Sequence, residues 1–428
     1  MPKSFLRLRL LVLTIVATPA FLACSAAAPA PVCEDRTKSN GECPGTHQQS
    51  VALSCAATVE VGSAEALSAA AATAKPGTCI SLGKGSYPAV DVPAGAHLVG
   101  KGEGGTQVGG VTVHGGGTVV GALSIKGPLA GAGTAGGGSG GVTLQQVHST
   151  GAPDVAVTVL DLDLTVLDST IEKASGYGIA AGCSVSPCKV LPKVEIRRTL
   201  LDGNAKLGLW LHGVDATVDH VEIRATKAKD FLFGRGIDLA EGAKLNASHF
   251  SIIDNLEAAI LVDGATVTLD DFVLARNGRG LQIQKAGASN VSNFLIKDNG
   301  VVGLLVDGSN GIIVQGGEVS GTKTQRVPVD FGGLADVGDG MNWRGNSEVK
   351  ISGTRFSNSG RQAIIVQGKN AGELSVKLEG NDASTGIIVQ GLDSAGDVGI
   401  IVQGFTPKVA SKGTELPLAT PVGMAAKK

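Results

Sequence analysis

A short phrase, one small residue followed by apolar-x-apolar, returns along this chain, most often at steps of 21 to 23 residues. It reads GIAAG (178–182), GLWLHG (208–213), GIDLAE (236–241), AILVDG (259–264), GLQIQK (280–285), GLLVDG (303–308), GMNWRG (340–345), AIIVQG (363–368) and GIIVQG twice (386–391, 399–404). A second phrase falls between copies of the first: VEIRR (194–198), VEIRA (221–225), FSIID (250–254), FVLAR (272–276) and FLIKD (294–298). A weaker third supplies AKLNA (243–247), ATVTL (265–269) and GIIVQ (311–315). Alternation of this kind marks strands, and three short strands per coil of about 22 residues make a parallel solenoid. One coil cannot bury its inward side chains, whereas stacked coils pair each strand with its copies above and below. The pattern points Ile260 and Val262 inward and Leu261 outward. It stacks Phe250, Phe272 and Phe294 in one column and Ile252, Leu274 and Ile296 in the next. Asn255, Asn277 and Asn299, spaced by 22, mark a recurrent tight turn with a ladder of amides.

Other segments break the period. Ser63 is a suitable N-cap, Pro76-Gly77 a stop, and the Ala-rich stretch 64–74 between them reads as a short helix covering the open end of the solenoid. Residues 103–145 are rich in Gly and irregular, 183–193 and 317–339 are insertions, and the tail after 405, with Pro407, Pro417 and Pro421, is not another coil.

The chain begins with Lys3, Arg7 and Arg9 ahead of an apolar stretch from Leu10 to Phe21, too short for a comfortable membrane span. Phe21-Leu22-Ala23-Cys24 resembles the lipobox of bacterial lipoproteins. That resemblance implies a signal peptide over 1–23, lipidation of Cys24, and a chain held in the cell envelope, on the outer membrane or cell surface. An ordinary secretory signal cleaved nearby is the alternative. The division that follows is 24–56 for the lipidated Cys and a tether with a disulfide loop, 57–405 for the solenoid, and 406–428 for a tail. Apart from Cys24 there are six cysteines, an even number in an exported chain. The simplest pairing is local: Cys33–Cys43, Cys55–Cys79 and Cys183–Cys188. Zinc ligation is the alternative, although no CxxC pair occurs.

Composition agrees with strands and turns. There are 63 Gly, aromatics are 3% and charged residues 17%. The net charge of −2 leaves no broad basic face for nucleic acid. The repeats over 178–404, together with the entry KPGTCISLGKGSYPAVDVPAGAHLVGKG (75–102), resemble right-handed parallel β-helix proteins of the pectate-lyase-like group. The resemblance implies an all-β, right-handed parallel β-helix. It leaves activity open, because that group holds polysaccharide lyases, hydrolases, epimerases, esterases, tailspikes and non-catalytic surface proteins.

Enzymes of that group work on an outer face, so outward polar columns are the places to look. His220, His249, Asp271 and Asn293 form one. The first three are the catalytic candidates, since two imidazoles and a carboxylate can share a proton or hold a metal. Asp161 and Asp163 are the calcium candidates, and calcium the candidate cofactor. Asp270-Asp271 resembles the paired aspartates of polygalacturonases, and Asp230-Phe231-Leu232-Phe233-Gly234 a pectin methylesterase motif; the motifs that accompany each are missing. The outward position of the main phrase holds Trp210, Asp238, Leu261, Gln282, Leu305, Asn342, Ile365, Ile388 and Ile401. Several are apolar where water is expected. Trp210, Leu261, Leu305 and Ile365 are therefore the expected contact strip for a polysaccharide or surface protein, unless the tail or a loop covers them. A tethered, non-catalytic binding or scaffolding module is the expected function. A polysaccharide lyase or hydrolase is the alternative.

Overall fold

Strands of similar sequence pair best when like side chains stack, and the coils do stack this way. The computed structural model of the protein describes residues 53–102, 104–133, 140–228, 233–330, 332–368, 370–379, 386–390, 400–402, 408–410 and 415–421. Among them the strands form two sheets, of 21 and 15 strands. The smaller sheet carries the main phrase. Leu261, in the strand Ala258–Asp263, pairs with Asp238 on one side and Gln282 on the other. The larger sheet carries the other two phrases. Phe250, Phe272 and Phe294 stack with ring centroids 5.0 and 5.7 Å apart, and Ile252, Leu274 and Ile296 pair beside them.

The second and third phrases are not always separate strands. Lys244–Ile253 and Thr266–Ala275 are single strands that bend in the middle. The bend is made by one residue with left-handed backbone. Asp168, Arg198, His220, His249, Asp271 and Asn293 fall on one register column at this corner, with φ between 46° and 51°. His, Asp and Asn tolerate that conformation better than most side chains, which explains part of the column's polarity. A second corner lies at Asp254, Arg276 and Asp298. The next residue there, Asn255, Asn277 or Asn299, turns inward and is buried. The left-handed residue is thus the one before the Asn.

The small residue that opens each main phrase has a steric reason. A Cβ on Gly236 would lie 2.3 Å from Ile252 Cγ2 and 2.6 Å from the Ala259 carbonyl oxygen. We expect Gly236→Ala to cost about 1–3 kcal/mol through overpacking, read as a lower midpoint in urea unfolding.

At the N-terminal end the helix spans Ala64–Thr73, with the Ser63 side chain accepting from Ala66 N. Its Leu67, Ala70 and Ala71 are buried against the first coil, where the strand Ala57–Val61 pairs with Thr78–Leu82. The Cys55–Cys79 and Cys183–Cys188 disulfides are both formed. Cys33–Cys43 and Cys24 lie outside the described residues.

The C-terminal end departs from the sequence expectation twice. The solenoid does not stop at 405, because Lys408–Val409 pairs with Ile388–Val389 in the smaller sheet. The phrase at 399–404 is also not a main phrase. Ile400–Val402 pairs with Gly372–Leu374 in the larger sheet, only 13 residues after its twin at 386, which is half a coil.

Candidate functional site

The outward column of the smaller sheet can be followed in register from Asp91 through Thr112, Ala130, Thr158 and Ala180 to Trp210, and on to Ile388. Its two halves differ. Asp91 and Ala130 are exposed, whereas Asp238, Leu261, Gln282, Leu305, Asn342 and Ile365 are all buried. Leu261, Leu305 and Ile365 are therefore not a contact strip.

From Leu305 onward the cover comes from two segments. Gln325–Pro328 pairs antiparallel with Leu334–Arg344, and Val327, Val329, Ala335 and Val337 pack with Leu305, Val301, Val302 and Ala419. The tail then crosses the same face. Val329 and Ala419 form an antiparallel bridge, Gln390 exchanges two hydrogen bonds with the Leu416 backbone, and Arg361 and Arg344 donate to the carbonyls of Pro417 and Ala419. Two arginines under this cover are paired with aspartates. Arg361 grips Asp339 through two nitrogens, and Arg344 meets Asp307 and Asp330. Burial pushes the Asp339 carboxyl up, and its arginine pulls it only part of the way back. A shallow cavity of about 290 Å³ remains between Asp307, Arg344, Gln367 and Thr420.

Trp210 lies at the edge of the covered zone and is half-buried. Its ring lies across Gly182 of the preceding coil, where a Cβ would sit 2.9 Å from Cζ3. It stacks on His212, centroids 4.0 Å apart with a 25° tilt. His212 Nε2 lies 3.2 Å from Asp238 Oδ1, and Asp238 Oδ2 accepts from Arg235, which also binds Glu257. Burial pushes the Asp238 carboxyl up, but the His212 hydrogen bond and the Arg235 charge outweigh it and hold it below the ordinary value. Sequence reasoning singled out Trp210 but missed His212, Arg235 and Glu257. The outward spacing of His212 from Trp210 was the available signal.

On the larger sheet, the corner column brings together two of the three catalytic candidates and a residue not singled out before. The His220 and His249 rings stack at 4.7 Å. Asp219 lies between them, with His249 Nδ1 2.8 Å from Oδ1 and His220 Nδ1 2.9 Å from Oδ2. Asp271 stands farther off, its Oδ2 3.9 Å from His249 Nε2. Burial raises the Asp219 carboxyl, yet the His249 hydrogen bond and the closeness of both imidazoles win and its pKa is lowered. The group sits on a partly exposed ridge, with side-chain exposures of 14% for His220 and 39% for His249.

Asp161 and Asp163, the calcium candidates, are each engaged with backbone. Asp161 is buried and accepts from Ser184 N, while exposed Asp163 accepts from Lys193 N, so each caps backbone of the 183–193 insertion. Among the described residues they join no third acid or imidazole. Asp230, Phe231 and Leu232 lie outside the described residues.

With this geometry in place, the fold is a right-handed parallel β-helix. Residues 156–319 match the family model described as "Right handed beta helix region". No curated protein matches the chain. Several solved structures are similar. A mannuronic acid specific polysaccharide family 6 lyase from human gut microbiota shares 11% identity over 83% of this chain and 92% of its own, at a TM-score of 0.41. The N-terminal fragment of gene product 12 from bacteriophage phi29 shares 10% over 81% and 69%, at 0.48. The catalytic unit of a thermostable alpha-1,3-glucanase from Streptomyces thermodiastaticus shares 14% over 87% and 72%, at 0.42.

Proposed function

We propose that the protein is an exported, lipid-anchored β-helix that binds polysaccharide without cleaving it, with Trp210 as the stacking platform. The observation that carries this reading is the indole itself. It is half-buried, held flat by His212 and Gly182, and lies beside the open N-terminal half of the outward column. An aromatic face fixed in this way loses little entropy on meeting a sugar ring. Next to it Arg235 pairs with both Asp238 and Glu257, so the polar groups around the indole are held in place. The lipobox supplies the tether through Cys24. Among the described residues no helix is long and apolar enough to cross a membrane. A surface protein docked on the same platform is an outcome the test below can separate.

A glycan array probed with the purified chain tests the proposal. Trp210→Ala should lose at least tenfold in affinity for the bound glycan with an unchanged melting temperature, and Trp210→Phe should keep part of it. Equal binding by Trp210→Ala would remove the platform. Release of new chain ends from pectin or alginate would favour the alternative, a lyase or hydrolase.

A further inference from the structure

We infer that Asp219, His220 and His249 form a binding site for a divalent transition-metal ion, with zinc as the reference ion. The site is separate from the Trp210 platform and does not depend on that reading. The three residues present one ligand atom each within 4.8 Å of one another, the one such group of three among the described residues. Two imidazole nitrogens and a carboxylate oxygen are a donor set that suits borderline ions rather than calcium or magnesium.

The three donor groups stand close enough to share one ion, and one of them has no other partner. His220 Nδ1 is 2.9 Å from Asp219 Oδ2, but it is off the line that a hydrogen bond needs, and both ring nitrogens of His220 are buried with no hydrogen-bond partner. Ligands bound to one zinc at about 2.0–2.1 Å stand roughly 3.3 Å apart in a tetrahedron, so small side-chain rotations bring the three donors into place. Ser248 Oγ donates to Asp219 Oδ1 and fixes the carboxylate. Asp271 lies on the far side of His249, where it favours the ring's orientation without joining the ion. Arg198, the next residue up the corner, has its charge matched by a two-point pair with Asp168.

Backbone preference explains a polar residue at this corner but not two imidazoles in succession on one carboxylate. The same column supplies the clean test. Asn293 holds the position after Asp271 at φ 50°, so Asn fits the left-handed corner. His220→Asn and His249→Asn therefore remove a ligand without straining the backbone.

Isothermal titration of the full chain with zinc chloride should show a single ion bound. Each Asn variant should weaken it at least tenfold while leaving the melting temperature of the metal-free protein unchanged. Cobalt(II) should give visible absorption bands that both variants lose. No zinc binding by the parent protein would overturn the inference. So would binding retained in both Asn variants, which would place the ion elsewhere.

Discussion

Arg361→Ala should be strongly destabilising, costing about 3–5 kcal/mol. Asp339 is fully buried, and both of its oxygens are held by this arginine. Arg361 also reaches the Pro417 carbonyl, so its loss frees the tail from the covered face. The stranded carboxylate will take up a proton. A raised carboxyl pKa means that the native state binds more protons than the unfolded chain, so this group's contribution to stability falls as pH rises from the ordinary carboxylate value through the raised one. Arg361→Ala should steepen that fall, and Asp339→Asn in the same chain should recover most of the loss by removing the charge. Thermal unfolding at several pH values checks this. If the double variant is no more stable than Arg361→Ala, the buried charge is not the cause.

The second large effect belongs to the amide ladder. Asn277 Oδ1 accepts from both the backbone and the side-chain nitrogen of Asn255, and its Nδ2 donates to the Ile252 carbonyl and Asn299 Oδ1. Asn277→Ala leaves the Asn255 N–H without its acceptor and the Ile252 carbonyl without this donor. At about 1–3 kcal/mol per buried unsatisfied group, the loss is roughly 2–6 kcal/mol. Thr226 and Thr322 occupy this register position at the two ends of the Asn255–Asn299 run, so Asn277→Thr should cost clearly less than Asn277→Ala. Urea unfolding of the three proteins side by side is the measurement. Equal midpoints for Ala and the parent would show that the ladder adds nothing.

Much of the fold was legible because a parallel solenoid writes its register into the sequence. Equal spacing put Phe272 over Phe250, and a common place just ahead of the second phrase put His249 over His220 across a longer coil; the structure aligns both. Spacing also carried information that identity did not. The two GIIVQG phrases are the same string, yet they occupy different sheets, because 13 residues is too short a step for a full coil. Apolar outward residues at 261, 305 and 365 signalled that something contacts that face. What covers it could not be read, since the hairpin and tail return from far along the chain and follow no period. The polar corner at His220 and His249 was visible as a column. Asp219 was not, because its neighbour in sequence is already part of that column and only the bend turns the two side chains together.

The sealing of one half of the smaller sheet, with the other half left open, is the central claim. Thiol labelling tests it most directly, with Thr158→Cys and Ile365→Cys placed on the same outward column. The thiol at 158 should react with a maleimide at the rate of a free surface cysteine. The thiol at 365 should be protected at least a hundredfold, and should become reactive once residues 415–428 are deleted. Equal reactivity at the two positions in the full chain would contradict the account.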